Sequence, residues 1–344
     1  MSINLVVLDH AHDILWDDLI KSSPQGCVFM QSSLLQMLID TSNDGLCIER
    51  IGILGKDNKL VAGWAIPYHL KSGIGLRFSY GFGLRFSGPI LNIDPHRHIQ
   101  RNQALALLSE YVSERYDVIV TECHPGLQDA REFIYHGWTV IPEYYHIWDL
   151  NNLAETFSKF ESEKRREVRR GLEAYQYSQE TIDADSFAQF VALYQVTMQQ
   201  RHEIHHDTAW VNVLQQRLLK MQASGICQLY VVKSEEQYIA ALTVIVSAED
   251  QTAYYWMVGS DQNHRDSRVV PSLYWFAAKN LREADSRIRF VNLGTSPISS
   301  LSRFKDLLGA TPVLSFRLIY KNESWKANLW HIASRMKSLA RSAF

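Results

Sequence analysis

The order of apolar segments in the second half of the chain restricts its fold more than any other feature. Three strand-like segments follow one another directly: CQLYVVKSE, QYIAALTVIVSAED and TAYYWMVGS. After them come a helical segment, a strand, a second helix and a last strand: SLYWFAAKNLREA, IRFVNLG, ISSLSRFKDLLG and PVLSFRLIYK. Short alternating segments separated by turn residues are typical of antiparallel strands. The order therefore predicts an α/β fold with a mixed sheet.

The first half of the chain shows a similar order of segments. A helix is predicted from about Ser32, then strands on either side of the turn KDNK, and later a helix, a strand, a helix and a strand. The stretch GIGLRFSYGFGLRFSGPIL is rich in glycine and aromatic residues and predicts a loop or loose hairpin. A chain of 344 residues also favours two domains. We therefore predict domains at 1–150 and 151–322, meeting near Leu150, and a separate C-terminal helix at 323–344.

Composition and charge exclude several classes of protein. The net charge of -2 and the pI of about 6.7 argue against a general nucleic-acid-binding protein, which is usually basic over a whole domain. The sequence has no apolar run of about 18 residues, so no transmembrane helix is expected, and its acidic N-terminal stretch predicts no secretory signal. Four widely spaced cysteines without a CxxC pair indicate reduced thiols in a cytoplasmic protein.

Several segments in a fixed order resemble one enzyme family over nearly the whole chain. In the first half these segments are VFMQSSLLQML, SGPIL and REFIYHGWTVIPEYYHIWDL. In the second half they are KRREVRRGLEAY, FVALYQVTMQQR, YYWMVGSDQNHRDSRVVPSLYWFAAKNL and FVNLGTSPISSLSRFKDLLGA. The chain resembles the FemAB-like transferases and related GNAT-superfamily acyltransferases of bacterial cell-wall and polysaccharide biosynthesis.

The resemblance implies two tandem GNAT-like domains with a cleft between them. It also implies transfer of an acyl or aminoacyl group to an amine of a sugar or peptide precursor. The donor is then an acyl-CoA or an aminoacyl-tRNA, the acceptor is a small-molecule or lipid-linked amine, and no cofactor is tightly bound. A monomer or dimer is expected.

A cluster of arginines marks the start of the second domain. The stretch EKRREVRRG has five basic residues, interleaved with glutamates at helical spacing, which is typical of a solvated face with ion pairs. The resemblance implies instead that these arginines reach phosphates of the donor or acceptor. A third hypothesis is a nucleic-acid-binding module centred on residues 164–170. The arginines concerned are Arg165, Arg166, Arg169 and Arg170.

The segment GSDQNHRDSRVVPS departs from the glycine-rich pattern that holds the pyrophosphate of coenzyme A in many GNAT enzymes, since it has no glycine after Gly259. Guanidinium groups bind phosphates well and can replace backbone donors there. The candidate substrate-binding residues are therefore the four arginines above together with Trp256, Gly259, Ser260, Arg265, Arg268 and Phe304.

The resemblance and the chemistry of acyl transfer point to three catalytic candidates. Lys305, next to Phe304 on a short helix, is predicted to stabilise the oxyanion or to bind a donor phosphate. Tyr255 lies on the presumed central strand and is a candidate general acid, with core packing as the alternative. Strand alternation places Tyr254 and Trp256 on the opposite face. His124 follows a strand in TECHP and is the candidate base, with Glu122 beside it.

Two further segments carry alternative predictions. His202, Glu203 and His206 spell HExxH, which would make a zinc hydrolase if one helix held both histidines, but Asp207 or Thr208 is predicted to cap the next helix. A polar turn without metal is therefore expected. The C-terminal segment is amphipathic and basic without any acidic residue between 325 and 344. It predicts either a packed helix or peripheral contact with the inner face of the membrane.

Overall fold

The structure is a computed structural model that describes residues 4–42, 45–71, 75–80, 85–202, 206–261, 264, 266–296 and 298–323. Arg265, Glu203 and the predicted C-terminal helix from residue 324 onward lie outside these ranges. Across the described ranges, no helix has the length and apolar character needed to cross a lipid bilayer.

The chain forms two compact units. Unit 1 contains the residues up to Glu143 and those from Leu314 onward, and unit 2 contains Tyr144–Val313. The sequence placed the boundary near Leu150 and assigned the last strand to the second domain. The chain instead enters unit 2 at Tyr144 and returns to unit 1 at Leu314.

Unit 1 combines helices with a mixed sheet. Its elements are β1 (Asn4–Leu8), α1 (Asp13–Ser22), α2 (Ser32–Asp40), β2 (Cys47–Leu54), β3 (Leu60–Lys71), β4 (Leu76–Tyr80), β5 (Ile90–Leu91), α3 (His98–Arg115), β6 (Val118–Glu122) and α4 (Arg131–Tyr135), with 3₁₀ turns at His10–His12 and Val28–Met30. The strand β7 (Thr139–Asp149) then leads into unit 2.

Unit 2 continues with α5 (Leu153–Ser158), α6 (Ser162–Ala174), β8 (Gln176–Glu180), α7 (Ala184–His202), α8 (Thr208–Ala223), β9 (Cys227–Ser234), β10 (Gln237–Ser247), β11 (Thr252–Ser260), α9 (Val269–Ala284), β12 (Phe290–Thr295) and α10 (Ser299–Leu307). The last strand, β13 (Thr311–Lys321), leads back to unit 1. As predicted, the Asp207 side chain caps α8 by accepting from the Trp210 N–H, and Gly225 ends the turn after α8 with a φ of 75°.

The two units have the same strand order. In unit 1 the order is β1-β2-β3-β4-β6-β13, and in unit 2 it is β8-β9-β10-β11-β12-β7. In each unit the third and fourth strands are antiparallel, the fourth and fifth parallel, and the fifth and sixth antiparallel. The predicted tandem repeat is present, but each sheet ends with a strand from the other half of the sequence.

This exchange of end strands corrects the sequence-based assignment of the closing strand. β13 does not complete the sheet of unit 2, because its residues Arg317–Lys321 pair with Val118–Glu122 of β6. The neighbour of β12 is β7, where Phe290 lies opposite Asp149 and Asn292 opposite Ile147. An apolar alternating segment predicts a strand but not its partner.

Aromatic residues hold the core of unit 2. Trp148 of β7 stacks on Phe160 with ring centroids 5.2 Å apart, and its indole N–H donates to the carbonyl of Leu308 at 2.7 Å. Trp275 of α9 meets the edge of Trp148 at 5.9 Å. These contacts fix β7, α9 and the end of α10 around one side of the sheet, where the candidate site lies.

Candidate active site

The strands β11 and β12 separate part of the way along their length. They pair in parallel at Thr252–Phe290, Ala253–Val291 and Tyr254–Asn292, and the described residues beyond these three pairs form no further ladder between them. β11 nevertheless continues to Ser260, and β12 to Thr295. Backbone groups of β11 that face this opening can therefore bind a ligand.

A β-bulge lies where the opening begins. On β10, Thr243 pairs with Met257 and the next residue, Val244, pairs with Tyr255, so Trp256 is an extra residue on β11. An extra residue bends a strand and reverses the facing of the residues after it. The prediction that faces alternate along β11 therefore holds only as far as Trp256, which is half-buried at the bend.

Lys305 is buried at the end of β12 rather than exposed. It is only 3% exposed, and its Nζ donates to the carbonyl of Gly294 at 2.9 Å and to that of Thr295 at 2.7 Å. Gly294 has a φ of 81°, and its N–H donates to the Asn292 side chain at 2.8 Å. The ammonium thus holds the bent end of β12 beside the opening. The oxyanion role assigned from the sequence stays a prediction.

His146 of β7 lies next to Lys305 and was missed by the sequence reasoning. Its Nδ1 is 3.2 Å from the Ser296 hydroxyl, while its Nε2 is 3.3 Å from Asp306 Oδ1 and 3.5 Å from the Ser302 hydroxyl. Burial of the ring lowers the pKa of His146, the positive charge of Lys305 lowers it further, and Asp306 opposes both. The imidazole is therefore neutral near pH 7.

Tyr255 and Phe304 are part of the core around this site. The Tyr255 hydroxyl donates to the carbonyl of Tyr274 at 2.6 Å, and burial raises the pKa of Tyr255 well above its ordinary value. Phe304 is partly buried and meets the Tyr274 ring edge-on at 6.1 Å. Core packing, the alternative that the sequence left open for Tyr255, describes this position, and the general-acid role stays a prediction.

Gly259 and Ser260 join β11 to α7. A Cβ atom on Gly259 would lie 2.5 Å from the backbone nitrogen of Tyr194, so only glycine fits this approach of helix and strand. The Ser260 N–H donates to the Thr197 hydroxyl at 3.1 Å. Both residues thus have a structural role in positioning the strand that borders the opening.

The arginines of α6 serve different purposes. Arg165 donates from Nη1 to the carbonyls of Ser158 and Phe160 at 2.6 and 2.5 Å, which caps the end of α5. The Arg169 guanidinium lies 5.6 Å from the centre of the Phe157 ring. Arg166 and Arg170 are exposed, and the structure shows neither in an ion pair within its described residues. The ion pairs predicted between the interleaved glutamates and Arg165 or Arg166 are not among those observed in the described residues. Lys164 pairs with Glu167 instead, at 2.6 Å.

Arg268 is held by Asp266 and does not point to an open phosphate site. The carboxylate accepts from Nε of Arg268 at 2.8 Å, from its backbone N–H at 2.9 Å, and from the Tyr175 hydroxyl at 2.5 Å. Arg268 and these other donors hold the pKa of Asp266 well below its usual range. The N–H of Val269 donates to the Asp266 carbonyl at 3.2 Å, and Pro271 has no N–H.

The described residues at the start of α9 offer little to the pyrophosphate of coenzyme A. A phosphate at a helix N-terminus needs backbone N–H donors and positive potential. Here the carboxylate of Asp266 accepts from the N–H of Arg268 and adds a negative charge, and the Arg268 guanidinium is already paired with it. The guanidinium group of Arg268, which was predicted to bind a phosphate, is therefore bound within the protein.

Two further candidates belong to unit 1 and are described by their own contacts. His124 belongs to unit 1, where its Nδ1 accepts from the Gly126 N–H at 3.0 Å and its ring meets Phe86 at 5.0 Å. Glu122, also in unit 1, is 3.2 Å from Arg317. Neither contact identifies a base.

The HExxH segment is only partly described. His206 stacks on Trp210 with centroids 3.6 Å apart, and burial lowers the pKa of His206. Its position between α7 and α8 agrees with the predicted turn. Among the residues whose placement is given, no group of three His, Cys, Asp or Glu side chains could hold a metal ion.

The fold and the sequence together define the class of this protein. The family described as "Acetyltransferase (GNAT) domain" matches residues 158–306, less than half of the chain but most of unit 2. This segment is a GNAT acetyltransferase domain, and the chain is an enzyme of the acyltransferase class. No curated protein sequence matches the chain.

Solved structures show the same fold over nearly the whole chain. FemX is similar with a TM-score of 0.66 and 15% identity, over 91% of this chain and 96% of that one. A tandem GNAT protein from the clavulanic acid biosynthesis pathway gives 0.56 and 12%, over 92% and 98%. L-PGS from Bacillus licheniformis gives 0.53 and 13%, over 94% and 96%. At these identities the likeness establishes the fold alone.

Proposed function

We propose that this protein transfers an acyl or aminoacyl group to an amine carried by a sugar or peptide precursor of the cell envelope or of a polysaccharide. The observation that supports this proposal best is the opening between β11 and β12 at the Trp256 bulge. A carbonyl group lying there would meet backbone N–H groups of β11, which are fixed before the reaction. Such donors stabilise the oxyanion that forms when an amine attacks.

The charge of Asp266 at the start of α9 supports a donor that is not anchored there by a pyrophosphate. Its carboxylate accepts from the N–H of Arg268 and pairs with the Arg268 guanidinium, whereas Arg166 and Arg170 are exposed on α6. Guanidinium groups without partners bind phosphates of a nucleic acid or of a phosphorylated acceptor. Aminoacyl-tRNA is therefore the first donor to test, and acyl-CoA the second.

The acceptor is proposed to be a small-molecule or lipid-linked amine. The basic C-terminal sequence supports contact with the inner face of an anionic membrane, where a lipid-linked precursor would be found. The proposed location is the cytoplasm with peripheral membrane attachment, and the proposed assembly is a monomer or dimer.

Two binding and transfer measurements test the proposal. Filter binding with a bulk aminoacyl-tRNA mixture should retain the labelled tRNA, and equilibrium dialysis with acetyl-CoA should show no binding at micromolar concentration. Each donor is then incubated with a set of amino sugars and amino acid amides, and amide formation is followed by mass spectrometry. If neither donor yields an amide with any of these amines, the proposed function is wrong.

A further inference from the structure

Amine acyl transfer requires a base, and the contacts of His124, the candidate base from the sequence, do not identify it as one. An amine attacks only as the free base, and it must lose a further proton after attack. Tyr255 donates to a backbone carbonyl, and Lys305 donates to two. A base must therefore be a group at the edge of the opening that can accept a proton.

We infer that Ser296, His146 and Asp306 form a proton relay that accepts the proton of the acceptor amine. Ser296 is half-buried and is the first residue after β12, the strand that borders the opening. Its hydroxyl is 3.2 Å from His146 Nδ1, and His146 Nε2 is 3.3 Å from Asp306 Oδ1. Base and hydroxyl thus lie within hydrogen-bonding reach, with an acidic group that orients the base.

The chemistry of the three groups fixes the direction of the relay. An ionised carboxylate can only accept, so Asp306 requires the proton of the neutral imidazole to be on Nε2. Nδ1 is then the acceptor, and the Ser296 hydroxyl donates to it. The oxygen of Ser296 can then accept the proton of the acceptor amine on a lone pair, which is the orientation that a relay needs.

The proton balance of the step is complete. As the amine nitrogen bonds to the acyl carbon, its proton passes to Ser296 Oγ, and the Ser296 proton passes to His146 Nδ1. The imidazolium is stabilised by Asp306. When the bond to the leaving group breaks, the same proton returns through Ser296 to the departing atom, so Ser296 and His146 end unchanged.

The charges around His146 agree with this role. Lys305 and Asp306, both on α10, are the charged groups that act on its titration, and Ser302 lies 3.5 Å from Nε2. Burial and the Lys305 charge keep the ring neutral and able to accept a proton at neutral pH.

The test compares two nucleophiles with one donor, and it rests on the proposed function. Wild type, Ser296→Ala, His146→Gln and the control Ser300→Ala, at an exposed position of α10, are incubated with p-nitrophenyl acetate and either glycinamide or hydroxylamine across a range of pH. Products are quantified by mass spectrometry, and folding is checked by circular dichroism. Both nucleophiles lose a proton after attack, but hydroxylamine is the weaker base, so its adduct loses that proton to water more readily and depends less on a protein base.

The relay predicts that Ser296→Ala and His146→Gln lower kcat/KM for glycinamide by about 10²-fold, a typical general-base contribution. Both should keep most of the hydroxylamine reaction, and Ser300→Ala should match wild type. A Ser296→Ala enzyme with the wild-type rate and pH profile for glycinamide would overturn the relay alone. Acetylation of Ser296, located by peptide mass mapping, would overturn it too, since the hydroxyl would then be a nucleophile. If wild type accelerates neither reaction, the same variants are compared with whichever donor of the proposed function forms an amide; no amide with any donor would refute the proposed function, and the relay with it.

Discussion

Replacing Lys305 with methionine removes the two hydrogen bonds that fix the end of β12. Methionine keeps the aliphatic stem, so no large cavity forms, but the carbonyls of Gly294 and Thr295 lose a donor at 2.9 and 2.7 Å. A buried polar group left unsatisfied costs roughly 1–3 kcal/mol. Removing a buried ammonium also removes its desolvation penalty, which offsets part of that loss. We expect the free energy of unfolding to fall by about 2–4 kcal/mol, within the range of those two contributions.

The assay is urea unfolding followed by tryptophan fluorescence, because Trp148 donates to Leu308 just beyond α10. Lys159→Met is the matched control, since Lys159 is 51% exposed and pairs with Glu155 at 3.0 Å. An exposed pair of this kind contributes about 0.5 kcal/mol or less. Equal stability of the two variants would refute the structural role of Lys305. A Lys305→Met enzyme of wild-type stability that loses about 10²-fold in kcat would instead support the oxyanion role.

Three further predictions concern pH, phosphate and membrane. The pKa of His146 is lowered in the folded state, so its contribution to stability is present above about pH 6.5 and is lost as the pH falls towards the folded value. In urea unfolding, His146→Gln should therefore reduce the fall in the free energy of unfolding at acidic pH. The same pH dependence in variant and wild type would contradict the shift. The double variant Arg166→Ala/Arg170→Ala should raise KM for a phosphorylated substrate, as should high salt in wild type. The control Arg287→Ala, at an exposed site paired with Asp285, should not raise KM. Equal KM values in the double variant and wild type would mean that α6 is only a solvated face. Deleting residues 325–344 should abolish pelleting with anionic vesicles at unchanged thermal stability, because each basic residue near the surface contributes about 1 kcal/mol; a fall in thermal stability would assign the segment to the core.

The sequence predicted the elements of the fold because their signals are local. The cap of α8 at Asp207 depends on a side chain within three residues of its partner, and the φ of Gly225 depends on a single position. The bulge at Trp256 has no such signal, since one extra residue leaves an apolar run unchanged. The exchange of β7 and β13 was missed for a different reason: pairing depends on residues far away along the chain.

The candidate site was harder to predict because charge in a sequence suggests exposure. Lys305 was placed near the right strand, but its burial follows from two carbonyls at a bend that the sequence does not show. His146 lies in an alternating strand and has no motif around it. Asp266 did have a detectable signal: the spacing Asp-x-Arg recurs at Asp129–Arg131 and Asp285–Arg287, and each time the carboxylate binds the arginine two residues on.

The exchanged end strands bear on how the chain folds during synthesis. β6 borders β13 through residues such as Glu122 and Arg317, which are 195 positions apart. Unit 1 therefore cannot complete its sheet on the ribosome until almost all described residues have emerged, although most of its residues are made first. Until then one edge of β6 stays open, and open strand edges recruit other chains. A fragment cut near Leu150 would keep that edge permanently, so each half of this protein depends on the other for its last strand.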